Sequence, residues 1–157
     1  MKTIAGRWLA AHTIAVALTI GFANEGAAQD PALPPAVAYR QNVMRMVAAH
    51  MNAVEALLEE DAGPQSHMVP QAQALLDLSI MTPDLFPAGS GGDNTRARDE
   101  IWQDPSGFAA ASAAFVTASE GLLRALESGN EALAREGLET LSASCAGCHQ
   151  PFRKPAP

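Results

Sequence analysis

Residues 131–149 read EALAREGLETLSASCAGCH, and the last five, Cys145-Ala146-Gly147-Cys148-His149, set the order of everything upstream. On a helix Cys145 and Cys148 stand at i and i+3 and His149 at i+4, so two thiols and an imidazole share one side. That spacing meets a geometric demand of c-type haem, whose vinyl groups take two thiols as thioethers while the next histidine gives a ring nitrogen to the iron. Going back along the helix, Ala134, Leu138 and Leu141 lead into Cys145 and Cys148 by alternating steps of four and three. The cysteines are therefore in phase with an apolar core stripe, and the haem is expected in the interior.

Other uses of a cysteine pair fit less well. A thioredoxin-like redox site needs a βαβ setting, and a zinc site needs a second pair of ligands. No strand pattern, internal repeat or basic run is visible, and the two cysteines of the motif are the only ones in the 157 residues. A structural disulfide is the plainer alternative, but the start of the chain argues for haem.

Lys2 and Arg7, the apolar run from Ile14 to Phe22, and the small residues Gly26-Ala27-Ala28 make residues 1–28 a secretory signal peptide. Its unbroken apolar run is well short of the ~20 residues of a membrane span, so cleavage is expected to leave no span. Residues 29–157 then form one domain with one core. Cleavage removes two basic residues and one acidic (Glu25) from the chain's ten and seventeen, leaving eight and sixteen, a net charge of −8. Nucleic acid is excluded as a partner by such a surface. With both cysteines in one motif, no disulfide framework stabilises this exported domain, and a covalent haem takes over that task. Thioether attachment and export together point to the bacterial periplasm.

Four helices are expected. QDPALPP (29–35) is an extended lead-in whose last proline opens helix one, from Pro35 to about Glu60. Val37, Met44, Met51 and Leu58 repeat every seven residues, and Arg40, Val47 and Val54 fill the alternate positions. Arg40 is out of place among aliphatic neighbours, because a buried guanidinium needs an anion. A haem propionate supplies one, with Gln41 assisting; otherwise the long stem of Arg40 snorkels to water. Met44, one turn on, either ligates the iron opposite His149 or walls the distal side as an apolar filler. Met46 is out of phase, and His50 and His67 are weak candidates.

Gly63-Pro64 stops helix one, and a second helix from about Val69 to Ile80 presents Val69, Ala72, Leu76 and Ile80 on one face. Thr82 to Asp99 is a long connection in which Asp93, Asn94 and Thr95 either reach the haem edge or only shape turns. Glu100-Ile101-Trp102 is a short anchor. Asp104-Pro105 caps helix three, whose seam is Phe108, Ala111, Phe115, Ala118, Leu122 and Ala125 with Leu126. A capping box from Ser128 to Glu131 opens helix four.

Tyr39-Arg40-Gln41 with Met44, Thr95 through Glu100-Ile101-Trp102, and the terminal haem motif followed by Phe152-Arg153 resemble the class II cytochromes c. That family comprises cytochrome c prime and its low-spin relatives, and the resemblance covers nearly all of residues 29–157. It implies an all-α fold, an antiparallel four-helix bundle enclosing one covalently attached haem c with its iron; cytochrome c prime is a standing example of that bundle. Carried over by position, Arg40 and Gln41 are the haem-contacting pair, Thr95 or Asp93 the loop contact, and Arg153 the basic residue on the proximal side. Asp99 stands where the family commonly has proline. Pro151 falls where its last helix usually continues, and is expected to strain that turn.

The function expected is one-electron transfer between periplasmic redox proteins, with His149 as proximal ligand and Met44 as sixth. The alternative is binding of nitric oxide or carbon monoxide at a five-coordinate iron, Met44 only shaping the pocket. No paired carboxylates or nucleophile constellation marks a substrate site, so an electron carrier and not an enzyme is expected. The resemblance also implies a homodimer through helices one and two.

Overall fold

The apolar spacing closes into four long helices. The structure is a computed structural model that describes residues 33–60 and 62–156; the expected signal peptide lies outside the described residues. Helix α1 spans Pro35–Glu59, α2 Met68–Met81, α3 Glu100–Gln103, α4 Pro105–Glu127 and α5 Glu131–Phe152, with 3-10 turns at Gln65–His67 and Thr82–Leu85. Here α1, α2, α4 and α5 are the four helices expected, and α3 is the anchor before the third.

The starts of α1, α4 and α5 follow local chemistry. Pro35 opens α1, where its missing N–H costs nothing. Asp104 caps α4, its carboxylate accepting from the Gly107 N–H at 2.9 Å. At α5 the expected capping box does not form. Gly129, with φ 68°, turns the chain so that the helix begins at Glu131 and Asn130 becomes the cap, accepting from the Leu133 N–H at 3.1 Å. Ser128 instead closes α4, its hydroxyl donating to the Ala125 carbonyl at 2.7 Å.

Helix α2 packs against α1 on one side and α4 on the other. It buries Ala72, Leu75, Leu78 and Ser79; of the stripe expected, Ala72 is buried and Val69 and Leu76 are half-buried against the core, but Ile80 is 59% exposed. Successive steps of four drift by about 40° each around a 3.6-residue turn, so a line from Ala72 through Leu76 carries Ile80 round to the surface. Steps of three and four hold Ala72, Leu75 and Ser79 inward.

The main core joins Val43, Val54, Leu75, Leu122 and Leu141, all fully buried, with Met44 and Met51 packed at its edge. Helices α4 and α5 approach closely because Gly137 has no side chain: a methyl group there would come 3.1 Å from the Leu122 Cα. The starts of α1 and α4 and the ends of α2 and α5 gather around one cavity. Leu58, Met68, Leu126 and Glu131 gather at the opposite end, which makes the bundle antiparallel. Among the described residues no helix is long and apolar enough to cross a membrane.

A second, smaller core lies under the long connection, where Ala97, Ile101, Phe108 and Phe152 meet with Phe86 and Trp102. The Trp102 indole N–H donates to the Phe86 carbonyl at 3.1 Å, pinning the connection to the short helix α3.

Gly137→Leu should force α5 away from α4 against backbone that cannot yield, at a cost of about 1–3 kcal/mol. Chemical denaturation of the haem-loaded protein measures it, and an unchanged midpoint would count against the close packing.

Candidate haem site

Arg40 is 4% exposed, and its guanidinium is spent on the connection after α2. Nη1 donates to the Leu85 carbonyl at 3.2 Å and the Ser90 Oγ at 2.9 Å; Nη2 donates to the Ser90 carbonyl at 3.0 Å and the Thr95 Oγ1 at 2.8 Å. The guanidinium carbon lies 4.7 Å from the centre of the Phe86 ring, a cation–π contact. The side chain therefore does not snorkel to water. Its hydrogen bonds are met by neutral oxygens, each worth about 1.5–3 kcal/mol to a charged donor. Burial still penalises the charge and holds the guanidinium below its usual range.

Thr95 also accepts from the Ala97 N–H at 3.1 Å, and two residues later the same connection meets the end of α5. Ala97 and Arg153 form an isolated antiparallel bridge: the Arg98 N–H donates to the Phe152 carbonyl at 3.0 Å and the Lys154 N–H to the Arg96 carbonyl at 2.7 Å. Nε of Arg96 adds a bond to the Lys154 carbonyl at 2.9 Å. Residues 85–98 thus form a strap tied to α1 at Arg40 and to α5 at Phe152–Lys154.

The strain expected from Pro151 does not end the helix. Helix α5 runs through it to Phe152, and the Arg153 N–H donates to the His149 carbonyl at 3.1 Å. Proline withholds only its own donor, so the bonds on either side of it can still form. Arg153 then leaves in extended backbone and turns onto the cavity wall.

That cavity measures about 460 Å³, within the range of small-molecule sites. Arg40, Gln41 and Met44 line it from α1, Thr95 from the strap, and Cys148, His149 and Arg153 from the end of α5. Its apolar wall is aromatic: Phe108 meets Phe86 at 5.0 Å and Phe152 at 5.5 Å, both edge to face. Cys145 is half-buried one turn back, near enough that its charge would disfavour ionisation of Cys148. Burial pushes both thiols up. It pushes His149 down, and the neighbouring Arg153 and Arg96 add to that.

Asp93 does not join the site. It is exposed beside Gly92, whose φ of 102° makes the turn, and the chain does not come inward until Thr95. Of the two loop contacts expected, the structure keeps only Thr95. Sequence reasoning passed over Phe86, Ser90 and Arg96. Phe86 lies just before Pro87, outside any helical period, and Ser90 is a small polar residue between turn glycines. Only Arg96, a charge next to Thr95, was open to notice.

A flat, largely apolar group with anionic edges suits these walls: aromatic faces, a thiol, an imidazole and a thioether inside, arginines at the margin. The family model described as Cytochrome C′ matches residues 35–153. The chain belongs to the cytochrome c prime family. Cytochrome c prime of Rhodospirillum rubrum is 32% identical over 127 residues, covering 80% of this chain and 85% of that protein. Among solved structures, a ferrous variant of cytochrome c prime from Alcaligenes xylosoxidans with nitric oxide bound aligns at TM-score 0.71 and 27% identity, over 77% of this chain and 94% of that one. A variant of the same protein with carbon monoxide bound aligns at TM-score 0.70 and 28% identity, over 76% and 94%. Cytochromes of this family carry covalent haem c with its iron, and the four-helix bundle seen here is theirs.

Arg40→Leu should orphan the oxygens at Leu85, Ser90 and Thr95 at a cost of about 1–3 kcal/mol. Amide exchange across residues 85–98 should rise more than in α4; equal protection in both proteins would refute the tie to α1.

Proposed function

We propose that this cytochrome holds its haem through thioethers at Cys145 and Cys148, with His149 as the proximal iron ligand, and carries single electrons between periplasmic redox proteins. The observation that carries it is Met44, a thioether on the α1 wall of the cavity that His149 lines from α5. Met44 stands one turn from Arg40, whose four hydrogen bonds fix that part of α1 in place. In this role Met44 would also ligate the iron, and Arg40, Gln41, Thr95 and Arg153, which line the cavity, would contact the haem edge.

When bound, the haem supplies a one-electron iron couple. The chain's residues do the rest. Burial and the two nearby arginines favour neutral His149, the state that can donate a lone pair to iron. Phe86, Phe108 and Phe152 exclude water and lower the local dielectric, which together with the ligands sets the potential. No catalytic step is assigned. Residues 1–28 act as the export signal, placing the domain where thioether attachment occurs.

A second reading has specific support, because structures of the Alcaligenes xylosoxidans relative hold nitric oxide and carbon monoxide. In that reading the iron of this chain would keep a place open for the gas, and Met44 would shape the cavity wall without ligating it.

Optical spectra of the purified ferric and ferrous protein, with and without carbon monoxide, separate the two. Electron transfer predicts a low-spin iron slow to take carbon monoxide, and Met44→Ala should convert it to high spin. A wild-type iron that is already high spin and binds the gas readily overturns the methionine ligand.

The exposed apolar residues fit a homodimer through α1 and α2. Tyr39, 52% exposed, and Met46, 44% exposed, stand two turns apart on one face of α1, and Ile80 and Met81 are exposed at the end of α2. Sedimentation equilibrium should give twice the monomer mass, and Met46→Glu should shift it to the monomer. A monomeric wild type rejects this interface.

A further inference from the structure

The basic side chains of this acidic protein are concentrated at one end. Residues 29–157 contain eight, and six of them, Arg40, Arg45, Arg96, Arg98, Arg153 and Lys154, lie on the cavity wall or on the strap and tail beside it. The other two are at the far end of the bundle and already paired. Arg124 meets Glu120 at 3.5 Å, and Arg135 meets both Glu59 and Glu131.

At the cavity that pairing is absent among the described residues. Its lining includes four arginines, Arg40, Arg45, Arg96 and Arg153, and no carboxylate. Asp93, Asp99 and Glu100 lie on the strap and at the start of α3, yet the one ion pair found there among the described residues is Arg98 with Glu100, at 4.0 Å. Among the described residues Arg45 donates only to the Asn42 amide oxygen, and the Lys154 ammonium only to the Gly92 carbonyl at 3.1 Å. The bridge between Ala97 and Arg153 fixes Arg96 beside Arg153 and Lys154, an arrangement in which like charges repel. A haem brings two carboxylates, which leaves two of the four lining arginines without a counter-charge.

From this distribution we infer that the margin of the haem cavity, from Arg45 on α1 across Arg96 and Arg98 to Lys154, is the docking surface for an acidic protein partner. The cationic groups are spread over three segments and do not converge on a point. A surface suits that spread better than a small anion does. The far end, with Glu55, Glu59, Glu60, Glu127, Glu131 and Glu136, gives the molecule a charge asymmetry along the bundle that turns the cavity toward an acidic partner before contact. The inference rests on the electron-carrier reading and names the partner's chemistry within it.

The test uses the haem-loaded protein and two anionic redox reagents. In the first, one electron leaves the ferrous haem and reduces ferricyanide to ferrocyanide. A rate governed by the net charge of −8 rises with salt, because like charges are being screened; a rate governed by the basic margin falls. A fall is expected between about 0.01 and about 0.15 M ionic strength. In the second, an acidic electron carrier replaces ferricyanide and the electron runs the other way: flavodoxin semiquinone gives one electron to the ferric haem and leaves as oxidised flavodoxin. Its rate should fall roughly tenfold over the same range, and fall again in Arg45→Glu and Lys154→Glu but not in Arg124→Glu.

A ferricyanide rate that rises with salt overturns the inference, as does a carrier rate insensitive to Arg45→Glu and Lys154→Glu together. So does tight, variant-sensitive binding to phosphatidylglycerol vesicles in place of the carrier, which would make the surface a membrane contact. Failure of the electron-carrier reading shows separately, as a high-spin iron that binds carbon monoxide, since ferricyanide reads the sign of the local charge whatever the sixth ligand.

Discussion

A guanidinium inside a bundle of aliphatic side chains has to be satisfied, and in this protein the demand of Arg40 organises the haem end. Solvent is out of reach, so the oxygens come from the connection between α2 and α3, which folds back over α1 to deliver Leu85, Ser90 and Thr95. Gly89 and Gly92, at φ 80° and 102°, let it turn sharply enough to do so. Phe86 is carried along, stacking on the guanidinium and extending the aromatic wall through Phe108 to Phe152. One misplaced charge therefore accounts for the path of the connection and for one wall of the cavity.

The parts legible in the sequence were those governed by period. The cysteines could be placed on the core stripe because Leu138, Leu141, Cys145 and Cys148 repeat at helical spacing, and Arg40 was conspicuous because it broke such a stripe. Ile80 was misplaced because a run of successive fours looks like a face in one dimension and drifts off it in three. The cap of α5 was misassigned because Ser128, Gly129 and Asn130 all suit a helix boundary, and backbone geometry chooses among them. What no spacing could reveal was the strap. Its bonds engage main-chain atoms, as across the bridge between Ala97 and Arg153, or fall on Ser90 and Thr95, residues whose types are common in any loop.

Net charge was a poor guide to partners for a related reason. The chain's formal net charge of −7 describes solubility, yet six of the eight basic side chains among the described residues lie at the cavity end. At the far end Arg135 bridges Glu59 on α1 to Glu131 on α5, so positive charge there is neutralised internally. At the cavity end Arg40, Arg45 and Arg96 are held by carbonyl, hydroxyl and amide oxygens, which satisfy hydrogen bonds without cancelling charge. The two ends thus satisfy the same side chain in chemically different ways, and only the second leaves a field outside the protein.

The strap also bears on the part Met44 plays. Thr95 is bonded to Arg40, one turn from Met44 on α1, and Ala97 pairs with Arg153, four residues past His149 on α5. Three consecutive residues therefore connect the wall that carries the thioether to the wall that carries the imidazole. Helices α1 and α5 share few direct contacts, so much of the spacing between those walls at this end falls to the strap. A methionine has three rotatable bonds and adapts to small changes in gap, whereas a bond to iron tolerates little. Whether Met44 reaches the metal is then decided less by the flexible side chain than by how firmly residues 95–97 hold α1 against the end of α5.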